Sequence, residues 1–451
     1  MKQFMKQFMT PVNNYAIFRM WLCFALLSCS FNACNKPDHF PFPRNDASGF
    51  SSDVIDKWMT MQIRLERDAT GIANVSFCRY FAYSGIAALE ALAPGTNLSL
   101  VTKGKWNGLT GLPQADIFKL YYWPASVNTS LAFMNRNIFI NANATDKAAI
   151  DSLEAALNTS YASTENAEII ARSDSFGKAV AAAVFNWSET DGYKDQSAPY
   201  TSPVGPGLWV PTPPAFAAAS APYLGNNRPI IAGSNDNTQP GPPIPYSEEP
   251  KSAFYQMALN DYSVSLTLTP DQTADALFWR DLPGVTTAGH WLSILQQVLK
   301  QADTHLDKAA FAYAITGVCQ SDAAISCWQT KYKYTLVRPI TYIRNVLGFT
   351  AWNSVLTTPA HPEYSSAHAV ISASISDALT QIFGNIGSFT DHTFDYLGFA
   401  PRTFTSFRAI GEDAGNSRVF AGIHYQPSVD TGLIQGRKVT ANILRKLGLH
   451  N

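Results

Sequence analysis

Apolar residues recur along this chain at helical spacing far more often than they alternate. Between Val54 and Leu65, the residues Val54, Ile55, Trp58, Met61, Ile63 and Leu65 fall roughly on one stripe. Residues 79–92, RYFAYSGIAALEAL, read as an apolar helix with small residues for close packing. Further helices are predicted over 146–158, 164–187, 251–268, 270–280 and 288–317. Strand-like alternation is scarce, and nothing repeats at a period of about 20–50 residues. Residues 188–250 break the pattern with Pro, Gly, Asn and Ser. Trp209, Phe216, Tyr223, Ile230 and Ile231 make this stretch too apolar for a solvated linker. The expectation is a long loop pinned across one helical domain of residues 51–450.

The N-terminus follows a different pattern. Lys2, Lys6 and Arg19 precede the apolar run MWLCFALLSC, residues 20–29. A basic start and a short apolar core are the pattern of a secretory signal, and the run is too short to span a bilayer. Leu26-Leu27-Ser28-Cys29 reads as a bacterial lipobox with Cys29 lipidated; Cys34 is a second candidate, and a plain cleaved signal is the alternative. Residues 1–34 are therefore expected to export the protein to the periplasm, the outer membrane or the exterior of a bacterium. Three of the six cysteines lie here, leaving Cys78, Cys319 and Cys327. That odd number excludes a full disulfide framework, although Cys319 and Cys327 could pair. No Cys/His spacing reads as a zinc site.

Composition narrows the function. Apolar residues are 46% and charged residues 15% of the 451, with a net charge of −1. No global basic field attracts nucleic acid. Three short segments nevertheless gather basic and histidine side chains. Lys331 and Arg338 flank YKYTLV; at about 100° per residue they would project from one helix face, with Pro339 ending or kinking that helix. The intervening residues are mostly apolar or aromatic, so part of this basic pair is expected to be buried, and buried cations need an anion. Ser366, Ala367 and His368 stand where an apolar helix begins, an N-cap signal and an anion site. Arg418 and His424 are six residues apart, with Gly422 and Pro427 suggesting a helix stop near His424.

Taken together, Lys-x6-Arg-Pro, Ser-Ala-His and Ser-Arg-x5-His resemble the signature of the vanadium-dependent haloperoxidases, within the type-2 phosphatidic acid phosphatase superfamily. The resemblance extends over roughly residues 54–449. It implies an all-α, helical-bundle haloperoxidase or acid-phosphatase-like fold with long irregular loops and an active site within 328–430. Vanadate would be held by Lys331, Arg338, Arg418, Ser366 and the Ala367 N–H, with His424 binding vanadium. His368 would be the acid–base group, Lys331 would assist catalysis, and hydrogen peroxide and a halide would be the substrates. His361, seven residues before His368, resembles the position that is histidine in bromide- and iodide-oxidising members and aromatic in chloride-oxidising fungal ones. Trp328 would line the pocket, and His290 is a candidate for its outer part.

The chain departs from the family pattern at three places. Ser365 stands for Pro, Ala367 for Gly, and Ser428 for the Asp of His-x3-Asp, with Asp430 two residues later. Two other functions compete. One is a phosphatase with His424 as nucleophile; no segment of the mature chain has about 18 consecutive apolar residues, so that phosphatase would not be membrane-embedded. The other is a surface lipoprotein that binds an oxyanion or a glycan without catalysis. A monomer is expected.

Overall fold

One long helix, Leu306–Tyr334, organises the molecule. The computed structural model describes residues 46–281 and 285–449. Apart from 117–119, the described residues cluster as one compact unit. In chain order, α1 (Asp53–Asp68), α2 (Ser76–Ala91), α3 (Trp123–Ile138), α4 (Ala144–Ala162) and α5 (Ala167–Ser188) come first. After an irregular stretch follow α6 (Ala253–Leu266), α7 (Pro270–Phe278), α8 (Thr287–Gln301) and α9 (Leu306–Tyr334). Then come α10 (Pro339–Asn345), α11 (Ala367–Phe383), α12 (Phe407–Phe420) and α13 (Gln426–Leu447). Two short strands, β1 (Phe389–Asp391) and β2 (Arg402–Phe404), pair antiparallel with Phe389 opposite Phe404.

Helix α9 is buried on all sides along most of its length, as far as Lys331. One side packs on α2, the other on α11 and α13. The α2 crossing is close because a Cβ on Gly317 would lie 2.7 Å from the Ala82 Cα. Dispersion and apolar burial therefore hold the two halves of the molecule to a shared axis.

Most predicted helices are present, with two corrections. The predicted 288–317 helix is two helices. α8 stops at Gln301, Asp303 turns through φ 45°, and the Leu306 N–H donates to the Phe50 carbonyl at 2.9 Å. Helix α3 was not signalled, because buried polar residues interrupt its stripe. Asn128 Oδ1 accepts from Trp58 Nε1 at 2.9 Å, and Ser126 Oγ donates to the Ala91 carbonyl at 2.6 Å. These polar groups are satisfied by partners distant in sequence. Cys319 and Cys327 are free and buried, eight residues apart on α9 and thus separated by about 12 Å of rise.

The 188–250 stretch is an ordered loop fastened to α9. The Trp209 N–H donates to the Thr335 carbonyl at 2.6 Å, and Val337 N–H to the Gly207 carbonyl at 2.9 Å. The buried Asp322 carboxylate accepts the N–H groups of Ile230 and Ile231 at 2.7 and 3.1 Å. Trp209, Ile230 and Ile231 are buried as expected, whereas Phe216 is 64% exposed and fastens nothing. The signal region 1–34, with Cys29 and Cys34, lies outside the described residues. No helix among those described is long and apolar enough to cross a membrane.

Candidate active site

The three sequence segments meet at the N-terminus of α11. Lys331 sits in the last turn of α9, which ends at Tyr334. Thr335 turns left-handed with φ 45°, and Leu336 bridges to Leu208 of the long loop. Arg338 is the N-cap of α10, which Pro339 opens. The expected common helix face for Lys331 and Arg338 is therefore corrected: a chain reversal, not helical phase, brings them together. Ser366 is the N-cap of α11, and Ala367 is its first residue. Ala367 has no positive φ, so the methyl group in place of glycine is unstrained. α12 carries Arg418 and stops at Phe420, Gly422 turns at φ 72°, and His424 immediately precedes the Tyr425 N-cap of α13.

Side-chain bonds fix the cluster. Lys331 Nζ donates to the carbonyls of Pro362 and Glu363, each at 2.9 Å. Arg338 Nε donates to the His361 carbonyl at 2.9 Å, Nη1 to His424 Nε2 at 3.1 Å, and Nη2 to His361 Nδ1 at 3.0 Å. Arginine is only a donor, so His424 Nε2 carries a lone pair, whereas His361 Nδ1 also lies 3.2 Å from the Pro362 carbonyl. His424 Nδ1 donates to Glu363 Oε1 at 2.7 Å. His368 Nε2 donates to the Trp279 carbonyl at 3.0 Å and lies 3.0 Å from Thr287 Oγ1 and 3.5 Å from Asp281 Oδ1. Its Nδ1 thus carries the lone pair. The same Trp279 carbonyl accepts from Arg418 Nη1 at 2.6 Å.

The cluster borders a cavity of about 320 Å³ whose walls include Trp328, His361, Ala367, His368, Arg418 and His424. Trp328 stands beside His361, with ring centroids 5.1 Å apart, and its Nε1 donates to the Ser220 carbonyl of the long loop at 3.4 Å. His290 is not in the outer pocket. It is buried behind Trp279, stacked on that ring at 4.3 Å, with Nε2 2.7 Å from Asp391.

Charge is concentrated here with little compensation. Lys331 and Arg338 are fully buried and Arg418 is 3% exposed. Burial pushes the Lys331 ammonium down to about 7 and both guanidiniums down to about 10. Burial lowers His368 to about 3, and lowers His361 and His424 well below the ordinary range. Burial raises Glu363, while Ser428, Arg338, Lys331 and the Tyr425 N–H pull it back. An anion held among these groups would reverse the cation shifts. Two buried donors of these residues have no partner: Ser366 Oγ and Arg418 Nε. Unpartnered buried donors beside buried cations fit an oxyanion. Among the described residues no group of three or more His, Cys, Asp or Glu gathers as a cation site. This donor set and the His424 Nε2 lone pair fit vanadate.

Four participants escaped the sequence analysis: Glu363, Asp281, Thr287 and the Trp279 carbonyl. Glu363 lies between His361 and Ser366 in sequence, and its neighbour His361 could have drawn attention to it. The others come from a distant segment, and a carbonyl carries no residue signature.

A helical bundle built around a buried cationic cradle at a helix N-terminus defines a class of oxyanion-binding proteins. The family model for the VCPO second helical-bundle domain matches residues 311–450. A bacterial vanadium-dependent iodoperoxidase structure is similar at 29% identity and TM-score 0.79, covering 88% of this chain and 96% of that one. Two bacterial vanadium-dependent chloroperoxidase structures share the fold. The apo-type shows 14% identity and TM-score 0.63, covering 84% of this chain and 98% of its own. The holo-type shows 16% and 0.63, covering 85% and 96%. No curated protein sequence matches. The family match thus covers the C-terminal segment, and the chain as a whole is similar in fold to solved vanadium-dependent haloperoxidases.

Proposed function

We propose that this protein is a vanadate-dependent haloperoxidase that oxidises iodide first and bromide second. Hydrogen peroxide, halide and one proton give water and a hypohalous acid. The observation that carries the reading is the pair of unpartnered buried donors, Ser366 Oγ and Arg418 Nε, beside three buried cations and a histidine lone pair. Lys331, Arg338, Arg418, Ser366 and the Ala367 N–H would hold vanadate, with His424 Nε2 on vanadium. When bound, vanadate supplies a Lewis acid that polarises hydrogen peroxide without changing oxidation state.

The chain's own groups do the rest. Burial keeps His368 neutral, so its Nδ1 lone pair can take a proton from entering hydrogen peroxide and return it to the leaving oxygen. Thr287 and the Trp279 carbonyl hold that tautomer. The buried cations withdraw charge from the reacting oxygens, a field stronger in a dry site than in water. Trp328 and His361 form the wall at which a large, polarisable halide would arrive. The iodide preference rests on His361 and on the similarity to the iodoperoxidase structure. We further infer a monomer exported by residues 1–34, with Cys29 or Cys34 as the anchor.

The test uses the chain from Lys36 onward, with and without orthovanadate. Vanadate-dependent oxidation of iodide, faster than bromide, is the expected result. Phosphate-ester hydrolysis by the apo protein with no halide oxidation would overturn the reading and make His424 a nucleophile.

A further inference from the structure

The phosphatase pattern places an aspartate four residues after the metal- or phosphate-binding histidine, and this chain has Ser428 there. A histidine that must present Nε2 needs an acceptor on Nδ1, or the tautomer is free to invert. The carboxylate has not been lost; it comes from another element. Glu363, on the loop before α11, is fully buried and takes three donors from the 424–428 segment. His424 Nδ1 donates to Oε1 at 2.7 Å, the Tyr425 N–H to Oε1 at 3.1 Å, and Ser428 Oγ to Oε2 at 2.6 Å.

We propose that Glu363 is the positioning residue of His424, doing through space what an aspartate at 428 would do along the chain. This rests on the reading of His424 as the ligand of vanadate. Several observations support it. Arg338 Nη1 donates to His424 Nε2, so the imidazole is held between a donor on one nitrogen and an acceptor on the other. Only the Nδ1–H tautomer satisfies both. The carboxylate also lies at the N-terminus of α13, where Tyr425 is the N-cap and has no side-chain bond of its own. Free N–H groups there favour an anion. Ser428 carries a hydroxyl and no carboxylate, and it serves as the third donor that fixes the Glu363 rotamer. The bond from Ser366 N–H to the Ser428 carbonyl, at 3.2 Å, ties this arrangement to the start of α11.

The test relocates the carboxylate. Glu363→Gln keeps shape and removes charge; Glu363→Ala removes both; Glu363→Ala with Ser428→Asp returns a carboxylate from the other element. Two readouts are taken on the full-length protein: vanadate affinity by calorimetry, and the His424 ring nitrogen shifts by NMR without vanadate. We expect Glu363→Ala to weaken vanadate binding by about 10- to 100-fold, as loss of such an orienting partner does. Glu363→Gln should weaken it less, and the double variant should recover at least part of the loss. The Nδ1–H tautomer should be mixed in Glu363→Ala and restored in the double variant. A double variant no better than Glu363→Ala, with native circular dichroism, overturns the proposal. So does a single tautomer in Glu363→Ala. If Glu363→Ala does not fold, Glu363→Gln decides: wild-type affinity with an unchanged tautomer overturns it. Failure of the wild type to bind vanadate would sink the functional reading alone, because the tautomer measurement stands without vanadate.

Discussion

Replacing His368 and His424 in turn separates holding the oxyanion from moving the proton. His368→Ala removes the acid–base group while leaving the cradle assembled. Arg418 Nη1 keeps its 2.6 Å bond to the Trp279 carbonyl, and Thr287 Oγ1 keeps Asp281 at 3.2 Å. The anion loses one polar contact, worth about 1 kcal/mol or roughly fivefold in affinity. Turnover should fall by about 100- to 10,000-fold, the range for a lost general acid–base. His424→Ala should instead lose tight vanadate binding and peroxidase activity together. Vanadate affinity is read by calorimetry, and kcat by iodide oxidation at saturating vanadate. If His368→Ala lost affinity by the same factor as kcat, the acid–base assignment would be refuted. If His424→Ala kept full activity, the site itself would be wrongly assigned.

Other consequences can be measured separately. Lys331 has its ammonium lowered to about 7, so its charge is present below that pH and lost above it. Binding of sulfate, whose charge is constant over this range, should weaken by about tenfold between roughly pH 6 and pH 8.5; pH-independent binding would contradict this. Glu66, fully buried, is raised to about 8 from an ordinary 4.5, so the folded protein retains a proton that the unfolded chain gives up. Its stabilising contribution is complete below about pH 4.5 and declines as pH rises to about 8. Glu66→Gln should therefore gain on the wild type over that window, by at most about 5 kcal/mol in denaturant unfolding. A parallel pH dependence of the two proteins would argue against it. Gly436→Ala would drive a Cβ into the Val370 carbonyl oxygen, which cannot move without α11. A loss of about 1–3 kcal/mol is expected by thermal melting, and an unchanged melt would show that the crossing yields.

The sequence disclosed the chemistry better than the geometry. Ser366, Ala367 and His368 stand at a helix start because N-cap chemistry and apolar periodicity agree there. Lys331 and Arg338 were placed on one face by counting residues, but Thr335 takes a left-handed conformation that no glycine announced. Glu363 lies only five residues before His368, yet glutamate is usually solvent-exposed, and nothing local says that it is wholly buried against His424. Trp279 acts through its main-chain carbonyl, which any residue would possess. The break at Asp303 depends on Phe50, some 250 residues away, and short-range periodicity cannot register such a partner.

Helix α9 also bears on how this protein can be divided. The matched segment begins at 311, five residues into a helix that starts at Leu306. A fragment cut at that point would keep Lys331, Arg338, His368, Arg418 and His424 in one piece of chain. It would also lay bare the face of α9 that holds Gly317 against Ala82, a surface shaped for α2 and poorly suited to water. That segment carries the cationic cradle but neither the Trp279, Asp281 and Thr287 contacts to His368 nor its own foundation, so grafting or minimising this site would require supplying substitutes for α2 and for those contacts.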